Sequence, residues 1–341
     1  MAALRASSVG IAQRCPVIGR SVFSWWGSAC GVAVAGCLTL TACGSARGGS
    51  PSTKAAIDAP EAPDRSPPAA GWRWESSHGL ELAVPVSWKI NDTDCNQTDA
   101  PSIVRAQGAV NECLTPEPTS KEIVEIFGGG AVEGAQPPRG VEPYGVSLGD
   151  EPAERGEGMT DDGRFAGWLR VPRLGVVVEA RVHERDTLTR VLDSARVVDV
   201  DHNGCATARE DLRATPPVTR TLVASDTRAW SVCYFGSADV LLASSWLEGD
   251  AASQLVTKLN AAAPGANPDV PENQCLRTED VPPVDVMLIA QGTQERAIVE
   301  VSFAGCTHRG LRNGRDTSRV SQELLQAIMD PLQTGYGFSA L

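Results

Sequence analysis

Alternation of apolar and polar positions begins at Trp72. Trp72-Arg73-Trp74-Glu75 alternates, and Leu80-Glu81-Leu82-Ala83-Val84 repeats the pattern after His78-Gly79, which predicts the two strands of a hairpin. Pro85 closes the second strand, because a residue without an N–H has no place in a central ladder, and Trp88 follows as a cap on the core. Ile123 to Phe127 reads as a short buried strand. Phe165 to Val171 and Gly175 to Val182 flank Pro172-Arg173-Leu174 as two more, and Val176-Val177-Val178 is the most strand-like triple in the chain. After Asp186, a capping residue, Leu188, Val191, Leu192 and Ala195 fall on one helical face, and Val197 to Val200 returns to strand. The segments 94–122 and 128–163 read as long polar loops rich in Gly and Pro. Residues 72–204 are therefore expected to form an antiparallel α+β domain.

From Cys205 the pattern runs through one plan twice. Residues 205–274 carry predicted strands at Thr219–Ala224, Ala229–Phe235 and Val240–Trp246, then a helix at Asp250–Ala263. Residues 275–341 carry strands at Val284–Ala290 and Ala297–Phe303, then a helix at Ser318–Met329. Leu255, Val256, Leu259 and Ala262 share one helix face, and Val320, Leu324, Leu325 and Ile328 share the other. Two hairpin-plus-helix units of this kind can pair their hairpins into one antiparallel sheet. The expected fold class is α+β: two domains of antiparallel sheet with helices packed on one face.

The beginning of the chain follows neither period. Ser21 to Ala42 is an uncharged run of 22 residues behind Arg5, Arg14 and Arg20, and it ends in Leu40-Thr41-Ala42-Cys43-Gly44. Such a run is long enough for a membrane helix, but Gly27, Ser28, Gly31, Gly36, Thr39 and Thr41 dilute it and no positive cluster follows. Small residues at Thr41 and Ala42 suit a signal peptidase, and the thiol of Cys43 can carry a diacylglyceryl group. The pentapeptide resembles the bacterial lipoprotein signal, the lipobox. That resemblance implies a signal peptide over residues 1–42 and a lipidated Cys43. Residues 43–71, with Pro51, Pro60, Pro63, Pro67 and Pro68 among Ser, Ala and Gly, read as a flexible linker.

Charge and cysteine usage agree with an exported body. Loss of residues 1–42 removes three arginines and no acid, which takes the formal charge from −12 to −15. An acidic surface repels phosphate backbones, so nucleic acid is excluded as a partner. Beyond Cys43, six cysteines remain: Cys95, Cys113, Cys205, Cys233, Cys275 and Cys306. An even number in an exported chain reads as three disulfides, and their layout favours neighbours: Cys95 with Cys113, Cys205 with Cys233, Cys275 with Cys306. No C-x-x-C spacing occurs, so no zinc knuckle or redox pair is indicated, and no metal ligand set or cofactor is assigned.

Motifs for chemistry are sparse. Gly128-Gly129-Gly130 lacks the following Lys and helix of a phosphate cradle, no Ser sits in G-x-S-x-G, and His183-Glu184 has no second His four residues on. His78, His183, His202 and His308 each read as surface residues. Asp199-x-Asp201-x-Asn203-Gly204 with Glu210 fits a calcium-loop spacing, but a strand precedes it and Pro216-Pro217 follows, so an acidic interdomain turn is the preferred reading of the same residues.

Taken in order, the lipobox, the Pro-rich linker, Leu82-Ala83-Val84-Pro85-Val86-Ser87-Trp88, Leu174-Gly175-Val176-Val177-Val178, Leu192-Asp193-Ser194-Ala195 and Asn203-Gly204-Cys205 resemble uncharacterised cell-envelope lipoproteins of actinobacteria. The resemblance implies a location, the outer face of the cell membrane with a lipid anchor at Cys43, and supplies no catalytic residue. The expected role is a non-enzymatic binding or structural protein with an envelope protein or glycan as partner. The alternatives are an envelope-acting hydrolase using paired carboxylates and a calcium-binding protein using the 199–210 loop.

Overall fold

The computed structural model describes residues 63–92, 100–105, 122–132, 134–209, 221–236, 239–271, 285–291, 297–303, 305–314 and 316–334. All of them belong to one compact unit that begins at Ile57. The signal peptide, Cys43, most of the linker, and Cys95, Cys113, Cys275 and Glu210 lie outside the described residues.

The strands are β1 (Trp72–Ser77), β2 (Leu80–Pro85), β3 (Lys89–Ile90), β4 (Ser102–Val104), β5 (Ile123–Gly128), β6 (Tyr144–Leu148), β7 (Glu151–Met159), β8 (Phe165–Val171), β9 (Val176–Val182), β10 (Arg196–Val197), β11 (Ala229–Phe235), β12 (Leu241–Glu248), β13 (Asp285–Gln291), β14 (Ile298–Ser302), β15 (Gly310–Arg312) and β16 (Thr317–Ser318). The helices are α1 (Arg185–Asp193), α2 (Gly249–Asn260) and α3 (Gln322–Met329). Three sheets result, ordered β1-β2-β10, β3-β4-β5-β9-β8-β7-β6 and β12-β11-β13-β14-β15-β16. The fold is α+β as expected, but strand-rich, and only this coarser form of the expected architecture is met.

Local chemistry explains the clearest elements. His78 and Gly79 both have positive φ, 54° and 76°, which is what a two-residue turn between twisted strands requires, and Ser77 pairs with Leu80. Gly175, at φ 57°, closes the turn from β8 into β9 by donating its N–H to Pro172 O at 3.0 Å. The valine triple is buried throughout because β9 is covered on both faces. Val176 and Val178 join Leu80, Leu82, Val124, Leu169 and the α1 residues Leu188, Val191 and Leu192 in one core. Val177 joins Val132, Val141, Ala166 and Trp168 in a smaller core on the opposite side. Burying a side chain such as Leu188 contributes about 2 kcal/mol. Gly167 lets α1 come close, since a Cβ there would lie 2.5 Å from Leu188 Cδ1.

The first expected hairpin, 219–224 with 229–235, is not what forms: residues 221–224 are irregular, and β11 pairs with β12, the extra strand of that unit. β11 and β12 form one hairpin and β13 and β14 another, and β11 pairs antiparallel with β13 to join them. Leu255, Val256 and Leu259 of α2 and Leu324, Leu325 and Ile328 of α3 share a core with Trp230, Val232 and Val299. On the other side of β11, Cys205 is bridged to Cys233, the pairing expected, beside Phe235, Leu241 and Met287. Closing the 28-residue loop contributes about 3.5 kcal/mol in the chain-entropy account. Cys306 is also disulfide-bonded.

Several expectations are corrected. The segment 128–163 is not a long loop, since it contains the β6–β7 hairpin, with Tyr144 opposite Arg155. Its strand signal is hidden because the crossing segment 140–142 requires glycines beneath it: a Cβ on Gly156 would lie 2.7 Å from Val141 Cγ1, and one on Gly158 2.3 Å from Gly140 O. The sheet of the first region is mixed, for β3–β4 and β4–β5 are parallel. Residues 221–224 are irregular rather than strand, because side-chain amides take their backbone groups. Asn260 Nδ2 donates to Val223 O at 3.1 Å, and Asn313 Nδ2 donates to Leu222 O at 3.0 Å. The expected strand 197–200 shrinks to β10, and the helix expected from Ser318 begins at Gln322 behind the cap of Ser321, whose Oγ accepts from Leu324 N. Residues 63–71, expected as linker, contact the body. Among the described residues no helix is long and apolar enough to cross a membrane.

Candidate functional site

β1 and β12 are edge strands of their sheets, and they lie against each other. His78 N at the end of β1 donates to Leu241 O at the start of β12, 2.7 Å away. The turn 199–205 wedges into this seam. Asp201 is 3 % exposed, and its Oδ1 accepts from the backbone N–H groups of Asn203 (3.0 Å) and Cys205 (2.8 Å) while Oδ2 accepts from the Ser244 hydroxyl. Burial pushes its carboxyl above the ordinary range, against these hydrogen bonds. Gly204 supplies the left-handed residue, φ 79°, that such a turn needs.

Glu81 on β2 is fully buried and saturated. Its Oε1 accepts from His202 N (2.9 Å) and the Ser76 hydroxyl (3.2 Å) and lies 2.7 Å from His202 Nδ1; its Oε2 accepts from Arg196 Nε at 2.8 Å. Burial alone would raise its pKa, but His202 and Arg196 outweigh burial and hold it at about 2. Asn203 Nδ2 donates to Ser244 Oγ at 2.9 Å and faces His202 Nε2 at 3.0 Å, which makes Nε2 the acceptor and places the imidazole proton on Nδ1, toward Glu81. Every donor in this chain from Glu81 to Asp201 therefore has an acceptor.

The geometry decides between two chemical readings of these residues. In a nucleophile–base–acid relay, the hydroxyl and the carboxylate occupy opposite ring nitrogens. Here Ser76 Oγ, 3.3 Å from Nδ1, and Glu81 share the same one. The arrangement fastens β1, β2 and the turn together and does not activate Ser76. The calcium spacing is used differently as well. Asp201 serves an Asx turn, Asp199 is exposed with its carbonyl accepting from Thr207 N at 2.9 Å, and among the described residues no group of three or more His, Cys, Asp or Glu is placed to hold a metal.

At the rim of the seam are two indoles, and residues 63–66 bridge them. Arg196, fixed by Glu81, lies over the ring of Trp74 at 4.0 Å; Trp74 Nε1 donates to Ser66 O at 3.2 Å. Arg65 lies over the ring of Trp246 at 4.5 Å and meets Glu248 at 3.2 Å, and Trp246 Nε1 donates to the same Glu248 oxygen at 2.9 Å. Pro63 rests on bare backbone: a Cβ on Gly204 would lie 3.1 Å from Pro63 Cγ and 3.0 Å from Ser231 Oγ.

A second cluster lies on the smaller-core side of the seven-stranded sheet. Glu125 of β5 pairs in register with Glu179 of β9, and Glu179 with Trp168 of β8. Burial, and then the charge of Glu179, raise the Glu125 carboxyl to about 7, against the pull of Arg181; burial also raises Glu179. These acids were legible only as polar interruptions in Ile-Val-Glu-Ile and Val-Val-Glu-Ala.

Of the histidines read as surface residues, His183 and His308 are exposed, whereas His78 is 6 % exposed and His202 half-buried. The His78 ring occupies the space a side chain at Gly128 would need, 2.0 Å from the Cβ position, and burial lowers its pKa to about 4. No protein-family model, curated protein or solved structure matches the chain.

Proposed function

We propose that the chain is an extracytoplasmic lipoprotein, held to the cell membrane by a lipid on Cys43, whose acidic body binds another envelope component, protein or glycan, at the seam between β1 and β12. The observation that carries this reading is the seam itself. Its floor is a completed hydrogen-bond network, its rim carries Trp74 and Trp246, and the polypeptide leading back toward Cys43 runs across it. The Cys205–Cys233 bridge fits an oxidising compartment, as export requires. Binding is preferred to catalysis because Glu81 and Asp201 are spent on structural hydrogen bonds.

The alternative, a hydrolase acting on envelope material, is favoured by one observation, the Glu125–Glu179 pair. A carboxyl raised to about 7 is suited to general acid work at neutral pH. The anchor is tested by intact mass and membrane fractionation of the wild-type and Cys43→Ala chains in a bacterium that processes lipoproteins. The wild type is expected in the membrane with a diacylglyceryl mass increment. A Cys43→Ala chain that keeps the increment overturns the assignment.

A further inference from the structure

We propose that the seam is a docking groove for an extended, arginine-bearing peptide of a partner protein, and that residues 63–66 occupy it in cis. The inference deepens the binding role at this seam. What the groove holds is a stretch of polypeptide rather than one side chain. Trp74 Nε1 reads a backbone carbonyl, that of Ser66. Trp246 and Glu248 together read a guanidinium, that of Arg65. Gly204, bare at φ 79°, takes the flat ring of Pro63.

The receptor side is organised without the guest. Trp246 Nε1 holds Glu248 at 2.9 Å, and Arg196, itself bound to Glu81, covers the Trp74 ring. Beneath the proline, Gln291 Nε2 donates to Ser231 Oγ at 2.9 Å. The guest side is weakly fixed. Its ion pair is open to water, with side-chain exposures of 39 % for Arg65 and 68 % for Glu248, and such pairs are worth little. A segment held by an exposed ion pair, one indole stack and one hydrogen bond exchanges readily with a competitor of the same chemistry. The body's net negative charge favours a cationic competitor over an acidic one.

The test uses the exported chain and, as probe, the six-residue peptide Ala62–Pro67 (APDRSP) with blocked ends. The indole N–H signals of Trp74 and Trp246 are followed by NMR and assigned with Trp74→Phe and Trp246→Phe. In a Pro63→Ala/Arg65→Ala chain, whose own strap is weakened, the peptide is expected to shift both signals saturably. The midpoint should lie at least about tenfold below that of the wild type, since loss of an exposed cation–π contact and its ion pair amounts to about one decade. A peptide with Ala in place of Arg should bind at least about tenfold more weakly. No saturable shift in the variant, equal midpoints in variant and wild type, or indifference to the peptide's arginine would each overturn the proposal. Unchanged near-ultraviolet dichroism of the variant confirms that the comparison is made on the folded body.

Discussion

Glu81 and Glu125 are both strand glutamates withdrawn from water, yet they titrate in opposite directions. Glu81 is fully buried and held at about 2; Glu125, only partly buried, is raised to about 7. If burial alone decided the outcome, both carboxyls would be raised. What differs is the partner set. Glu81 receives Arg196, the Ser76 hydroxyl, and both a backbone N–H and Nδ1 of His202, whereas Glu125 faces another carboxylate, with Arg181 as a weaker influence. Desolvation sets the size of the stakes, and the neighbours set the sign.

The comparison breaks most visibly on replacement of the acids. Glu81→Ala leaves Arg196 and His202 without their acceptor inside a saturated network, and is expected to destabilise the protein by about 3 kcal/mol or more. Urea unfolding at pH 7 measures this, and a loss below about 1 kcal/mol would show that the network is dispensable. Glu125→Gln is expected to do the reverse, because it removes like-charge repulsion along with a costly buried charge.

The pH dependence sharpens the contrast. Glu125 has a folded pKa above its unfolded value of 4.5, so the folded state binds the extra proton and stability falls as pH rises from about 4.5 to about 7. His78 acts oppositely: its folded value of about 4 lies below the unfolded 6.5, so stability falls as pH drops through that window. The two slopes overlap and offset one another between pH 4.5 and 6.5. Glu125→Gln should therefore stabilise the protein at pH 8 by on the order of 2 kcal/mol and expose a rise in stability from pH 4.5 to 6.5 that the wild type masks. Urea midpoints measured from pH 4.5 to 8 decide it, and an unaltered profile in the variant would mean that Glu125 titrates normally.

These two sites were unequally legible. The β1–β2 and β8–β9 hairpins could be read because alternation and turn residues are local, and strands β11 to β14 followed from the same signal, though the partner of β11 within its hairpin did not. β7 could not, because its inward positions are glycines chosen for the close crossing of 140–142, so the usual propensity is inverted. The partners of Glu81 lie 115 and 121 residues away at Arg196 and His202, and no spacing rule reaches that far. Asp-x-Asn-Gly was legible as a motif but not as a role, since the same residues spell a cation loop and an Asx turn. Which of the two forms depends on whether Ser244 and the backbone N–H groups of Asn203 and Cys205 claim the carboxylate first, and Ser244 comes from a different sheet.

The smallest effect separates fastening from docking within the seam. Arg65 and Arg196 both stack on indoles and both meet a glutamate, so they look alike in outline. Their glutamates differ, for Glu81 is inaccessible to solvent while Glu248 is 68 % exposed. Water screens the second pair, and Arg65→Ala, which removes an exposed ion pair and an exposed cation–π contact, is expected to cost about 1.4 kcal/mol of folding stability. The same urea experiment checks it. A loss as large as that of Glu81→Ala would make the 63–66 segment a structural part of the body, whereas a loss of about one decade leaves it free to give way to another peptide.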